Sequence, residues 1–314
     1  MSDINEILKL DKHPIWDVFE GCNTYEDFKN NIVKDIYIKP NVNEDIRNKT
    51  LIIQKLLQHS YFEYEFIDIA YNQAVSLLEK TMKIKYFEIH GRKTNLNLNK
   101  LIKWFFDNNY FETWNDLVIH QHRSIRNIQL HDTEPMLGGT VFLKKLYNVF
   151  QHINDLYEDV HLRIIRKENT LKLQSYLNDL IITDGGILTN NNRKIIHDIS
   201  VIFLDNKLND QILTIAISEI FDVGLYINKS TYNPPITIFE LKKWEMENDK
   251  FTAITTDNIT IIIEKNTKES NINKFQSWLK EMNSFQDRMA LLNYNSAFLN
   301  DLFSECLTKL HIRQ

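Results

Sequence analysis

Apolar residues recur at helical spacing through most of the first half of this chain, and that periodicity constrains its fold more than any other feature. From Leu51 to Tyr86 the residues Leu56, Leu57, Phe66, Ile69, Ala70, Val75, Leu77, Leu78 and Met82 recur at helical spacing. His59-Ser60 interrupts the series, so one long helix and two consecutive helices both fit. Asn43 or Asp45 can cap the start and Gly91 ends the element. Leu98, Leu101, Ile102, Phe105 and Phe106 give a second apolar face over Leu98–Phe111. A third helix is expected from about Asp116 to Asp132, capped by Asn115 and stopped before Pro135. Gly138-Gly139 reads as a flexible turn, and Thr140 can cap a fourth helix that runs to about Tyr157. Four amphipathic helices with short connections suffice for an up-and-down bundle.

The pattern changes after about residue 166. Helical segments are expected at 168–182 and 272–310, with strand-like runs between them at 196–204, 236–241 and 259–263. The stretch FTAITTDNITIIIE reads as a hairpin turning at Asp257-Asn258, since both residues tolerate left-handed backbone. Pro234-Pro235 marks a rigid approach to the preceding strand. The expected fold class is therefore mainly α: an antiparallel helical bundle over residues 1–165 followed by a smaller α+β domain over residues 166–314.

Composition narrows the function classes. Hydrophobic residues at 43% and charged residues at 25% describe a globular chain. No run approaches the roughly 20 apolar residues a membrane span needs. The opening MSDINEILKLDKH lacks the basic-then-apolar order of a secretory signal, so a cytoplasmic location with no membrane partner is expected. Cys22 and Cys306 are the two cysteines, too few for a disulfide framework or a thiolate zinc site. His120 and His122 point nearly opposite ways on a helix and make a poor chelate. Thr183-Asp184-Gly185-Gly186 reads as a turn, and no phosphate-loop pattern occurs. No metal and no cofactor are expected. A formal charge of −5 argues against a broad nucleic-acid binder but leaves room for an enzyme that engages a few nucleotides.

The segment Leu117–Asp132, LVIHQHRSIRNIQLHD, carries two arginines and three histidines with no carboxylate between Asp116 and Asp132. On a helix Asn127 and His131 lie one turn apart, and Arg123 extends their face by one more turn. Arg126 sits about 100° around from Asn127, within reach of the same space through its long side chain. The order Arg126-Asn127-Ile128-Gln129-Leu130-His131 resembles the R-x(4–6)-H motif of HEPN domains, in which a polar residue, frequently Asn, follows the Arg. The helix AYNQAVSLLEKTMKIKY (Ala70–Tyr86) is similar to an earlier helix of that family, and an apolar helix (Val141–Tyr157) follows the His as it does there. The resemblance covers about residues 50–160. It stops there, the first 45 residues lie outside it, and no standard aromatic or basic pattern follows His131.

The resemblance implies a HEPN-like bundle and a metal-independent endoribonuclease, in which the RNA 2′-hydroxyl attacks the neighbouring phosphate and leaves a 2′,3′-cyclic phosphate. His131 would exchange the proton, Arg126 would stabilise charge on phosphorus and Asn127 would orient the reacting groups. For Arg123 two uses are open, a contact to RNA phosphate and a surface salt bridge. The family also implies a homodimer with a composite site, a role as a toxin or phage-defence effector, and an antitoxin or regulatory partner. Two other readings are a non-catalytic module that binds a nucleotide or protein, and an assembly subunit of a defence complex.

Overall fold

A computed structural model of the chain describes residues 11–111, 119–122, 124, 139–205, 211–223, 235–284, 298–303, 305–306 and 309. They fall into two compact units, one ending at Val160 and one running from His161 to Leu310.

In the first unit a 3-10 turn at Pro14–Val18 precedes α1 (Tyr25–Asn31), α2 (Glu44–His59), α3 (Phe66–His90), α4 (Leu98–Asp107) and α5 (Thr140–Asp155). Residues 119–122 and 124 are also helical. The periodic stretch is two helices, because α2 stops at His59 and the chain turns through Tyr61–Glu65 before α3. Asn43 caps α2, its side chain accepting the Asp45 N–H at 3.0 Å. Gly91 ends α3 at φ 66, a left-handed conformation that costs glycine little. The 25-residue α3 packs against both α2 and α5. Its buried face includes Ile67, Ala70, Tyr71, Ala74, Leu78 and Met82.

The chain before α2 completes this core. The Trp16 indole is fully buried, donates to the Ser60 carbonyl at 2.9 Å and meets the rings of Phe28 and Tyr64 at 4.7 and 5.3 Å. Two side-chain amides hold the irregular stretch ahead of α2. Gln54 accepts the Ile36 N–H at 2.9 Å, while Asn154 accepts from Lys39 at 2.9 Å and donates to the Tyr37 carbonyl at 3.0 Å. Backbone that lacks a ladder or helix partner must find one in side chains, and these two amides supply it.

The second unit overturns the expected fold class. After α6 (Val160–Ile181) come β1 (Gly186–Asn190), β2 (Asn192–Asp205), β3 (Ile212–Glu219), β4 (Ile236–Glu247), β5 (Lys250–Thr255) and β6 (Thr260–Lys265), then α7 (Glu269–Ser284). Each strand pairs antiparallel with the next and β1 pairs with β6, so the sheet closes into a six-stranded barrel. The chain is not a mainly α bundle with a smaller α+β appendage. Its second unit is built around a closed β-barrel.

Burial explains which strands the sequence reveals. β5 and β6 are covered on one face, so buried and part-exposed residues alternate along them, and the hairpin turns with Asn258 at φ 66. β3 has six buried residues in a row. Leu213, Ile215 and Ile217 join the cluster that α6 completes with Leu173, Leu177 and Leu180. Ala216 lies in a separate cluster with Ile202, Phe203, Phe303 and Cys306. A strand covered on both faces loses its alternation and reads as an apolar run. Gln174 of α6 clasps β2, donating to the Ile199 carbonyl at 2.8 Å and accepting the Val201 N–H at 2.6 Å between two register shifts. The Gly185 N–H caps α6 on the Ile181 carbonyl at 3.1 Å with φ 71, so the Thr183–Gly186 run is a helix end leading into β1.

Among the described residues no helix is long and apolar enough to cross a membrane. Both cysteines are buried and free. Phe251, fully buried in the barrel cluster, gives a direct stability test. Phe251→Ala should lower unfolding free energy by about 3–5 kcal/mol, measured as a reduced urea midpoint at unchanged slope.

Candidate functional site

Arg123, Arg126, Asn127 and His131, the residues to which the motif assigns catalysis and phosphate binding, lie outside the described residues. The structure does describe what flanks them, and both flanks attach to the same part of α3.

The upstream flank is the helical turn 119–122. Ile119 and His122 are buried there, while Gln121 is exposed and His120 half-buried, so the two histidines face different surroundings. The Tyr71 hydroxyl and His122 Nδ1 share a hydrogen bond of 2.7 Å. Tyr71 also stacks on Phe142 of α5, with ring centroids 4.6 Å apart. The His152 ring lies 5.7 Å from that of His122 and meets the edge of Phe111 at 5.9 Å. Its Nδ1 is 3.9 Å from the Asp155 carboxylate, too far for a hydrogen bond. His122 Nε2 and both ring nitrogens of His152 are buried and make no hydrogen bond to the described residues.

Electrostatics fix the protonation of the bonded pair. Burial pushes the His122 pKa well below the usual 6.5, and the neighbouring His152 and Lys145 push it the same way. Burial drives the Tyr71 phenol upward. At neutral pH the two are therefore an uncharged imidazole and an un-ionised phenol. Such a pair is poorly suited to exchanging protons with a substrate and well suited to fixing a helical turn against α3.

The downstream flank is Gly139-Thr140. The Gly139 N–H donates to Asp68 Oδ1 at 3.2 Å, and the Thr140 N–H donates to the Tyr64 hydroxyl at 3.0 Å. Gly139 adopts φ 50 and ψ −132, and a Cβ there would fall 1.8 Å from Tyr64 Oη. The expected flexible turn is thus a steric requirement at Gly139, where both the backbone angle and the approach of Tyr64 demand glycine. Asp68 and Tyr71 lie three residues apart on one side of α3, and Tyr64 lies in the turn just before it. The described residues on either side of the motif, His122 and Gly139-Thr140, therefore both attach at the start of α3 or the turn before it.

Asp68 carries a signal that the periodicity reading passes over. It occupies a core position in the apolar run Phe66–Ala70, and a carboxylate on a buried stripe calls for a buried donor. Tyr71, His122 and His152 carry no comparable signal, because their partners come from three separate stretches of sequence. Among the described residues no group of three or more His, Cys, Asp or Glu could hold a metal ion.

Two measurements test the anchors. Gly139→Ala should destabilise the first unit by about 2–6 kcal/mol, with backbone strain and overpacking each contributing about 1–3. Combined with Tyr64→Ala, the loss should be smaller than the sum of the single losses, since the Cβ then has room. The depressed His122 pKa sets the sign of a pH effect. Folded protein takes up fewer protons than unfolded chain as pH falls below 6.5, so stability is full above that value and lost on acidification. His197, pushed down to about 4 by burial, acts in the same direction in the second unit. Denaturant midpoints measured from pH 7 to 5 should fall, and His122→Phe should remove the first unit's share of the slope.

Comparison of the chain with protein-family models, with curated proteins and with solved structures finds no match.

Proposed function

We propose that this protein is a metal-independent endoribonuclease that uses Arg126, Asn127 and His131. The observation that carries the reading is the double anchoring of their segment on Tyr64, Asp68 and Tyr71, through contacts that only particular residues can make. A glycine-only turn and a buried Tyr–His bond fix the chain on either side of the motif, and catalytic groups need such support. The resemblance to HEPN nucleases enters through the motif itself and not through a likeness of fold.

The residue types suit the reaction. An imidazole with a pKa near 6.5 can remove the 2′-hydroxyl proton, and the attack on phosphorus then expels the 5′-oxygen. A guanidinium matches the developing charge on the phosphoryl oxygens with paired N–H donors. Asn127 orients without titrating, and Arg123 adds a phosphate contact. The working form in this reading is a cytoplasmic homodimer with facing motifs. Its biological role is that of a toxin or phage-defence effector held in check by an antitoxin or regulatory partner.

The test is cleavage of total RNA by the purified chain in EDTA, beside Arg126→Ala and His131→Ala. Cutting should persist under chelation, yield 2′,3′-cyclic phosphate ends and fall at least about 100-fold in each variant. Cutting that continues unchanged in both variants would remove these residues from the chemistry.

A further inference from the structure

The outer side of the α2–α3 pair carries a groove of 340 Å³ with an unusual lining. Ile53 and Leu77 form its floor and are 3% and 4% exposed. Above them Ile52 is 60% exposed and Ile69 is 44% exposed, with Leu56 partly exposed between them. The remaining lining residues are Gln73, Ser76, Lys49 and Lys80. Among the described residues no carboxylate lines the groove, although the chain as a whole carries a formal charge of −5. Exposed apolar surface rimmed by polar residues marks a contact site more often than chance exposure does.

The charges are not spread evenly. Lys49 lies seven residues before Leu56 on α2, and Lys80 lies eleven residues after Ile69 on α3. The two helices are consecutive and run past each other, which puts both lysines at one end and Leu56 with Ile69 at the other. At 1.5 Å per residue the apolar part, Ile52–Leu56 on α2 and Ile69–Leu77 on α3, extends about 6–12 Å, one to two turns of a docked helix. Lys80 lies 3.6 Å from Asp45, an exposed pair that a partner carboxylate can compete with.

We infer that this groove binds an amphipathic helix of a partner protein, with apolar anchors at i, i+4 and i+7 and carboxylates at the end that meets Lys49 and Lys80. The apolar floor selects the anchors, and Lys49 with Lys80, whose exposed partner Asp45 can be displaced, selects the sign and orientation of the partner. The inference stands apart from RNA cleavage, because the groove residues belong to neither the motif nor its anchors.

The experiment uses the full chain and two fluorescent 16-residue peptides, each with Leu at the three anchor positions. One carries a Glu cluster at one end, and the other carries Lys there. The Glu peptide should bind at least ten times more tightly, and its affinity should weaken as salt rises. Ile52→Asp should abolish binding at an unchanged thermal midpoint, as expected for a side chain this exposed. Lys49→Glu with Lys80→Glu should reverse the preference, so that the Lys peptide binds better. Equal binding of the two peptides, no binding, or binding indifferent to Ile52→Asp overturns the inference. So does a wild-type dimer that Ile52→Asp converts to monomer, because the occupant would then be a second copy of the chain.

Discussion

The buried stripe of α3 is not wholly apolar, and much of the first unit is arranged to satisfy it. Asp68, Tyr71 and Thr81 all lie on the buried side of a 25-residue helix. A buried carboxylate or hydroxyl without a partner costs roughly 1–3 kcal/mol or more, comparable to a large share of a domain's net stability. Thr81 meets the need locally, donating to the Leu77 carbonyl at 2.7 Å. Asp68 and Tyr71 take partners from far along the chain, Gly139 and His122. The placement of the helical turn at 119–122 and the start of α5 thus follows from polar demand as much as from apolar packing.

The second unit answers a different constraint. Antiparallel strands leave two edges with unpaired backbone groups, and closure between β1 and β6 removes both. The barrel must then fill its interior. Side chains from all six strands do this, with α6 adding Leu173, Leu177, Leu180 and Ile181 to the same cluster. Parts of β2 and β3 face a second set of apolar side chains at Phe303 and Cys306, while α7 brings Phe275, Trp278 and Met282 together with Ile195 and Val223. Closure, filling and outside cover are solved with few glycines. Gly185 and Gly186 pass the chain from α6 into β1 where an added Cβ would come within 2.8 Å of the Ile196 carbonyl or 2.6 Å of the Ile181 side chain.

Local signals were legible in the sequence wherever one face of an element meets solvent. The helices around Leu57 and Leu146, the cap at Asn43, the stop at Gly91 and the turn at Asn258 all depend on neighbours in sequence. Barrel closure depends on neighbours in space. β1 has only five residues, and β3, buried on both sides, shows no period that separates it from a buried helix segment. The stretch before α2 is a further case, because Trp16 has no periodic company and gains its meaning from Phe28, Ser60 and Tyr64. Of the candidate site, the motif could be read directly, whereas its anchors could not. Gly139 looks like a flexible residue in sequence and is a constrained one in three dimensions.

Polar anchors differ from apolar ones in what they specify. A leucine against an apolar wall tolerates a shift of an ångström or a change of rotamer, whereas a hydrogen bond fails over that distance. The Gly139 N–H meets one carboxylate oxygen, and the ring of Tyr64 closes the space where any other residue would sit. His122 meets one hydroxyl and stays neutral in a pocket that resists its charging. These contacts contribute modestly to stability, since a net hydrogen bond is worth only about 0.5–1.5 kcal/mol. Their larger effect is on register. His122 is held to the Tyr71 hydroxyl and Gly139 to Asp68 Oδ1, so each fixes its own stretch of chain against the first turns of α3.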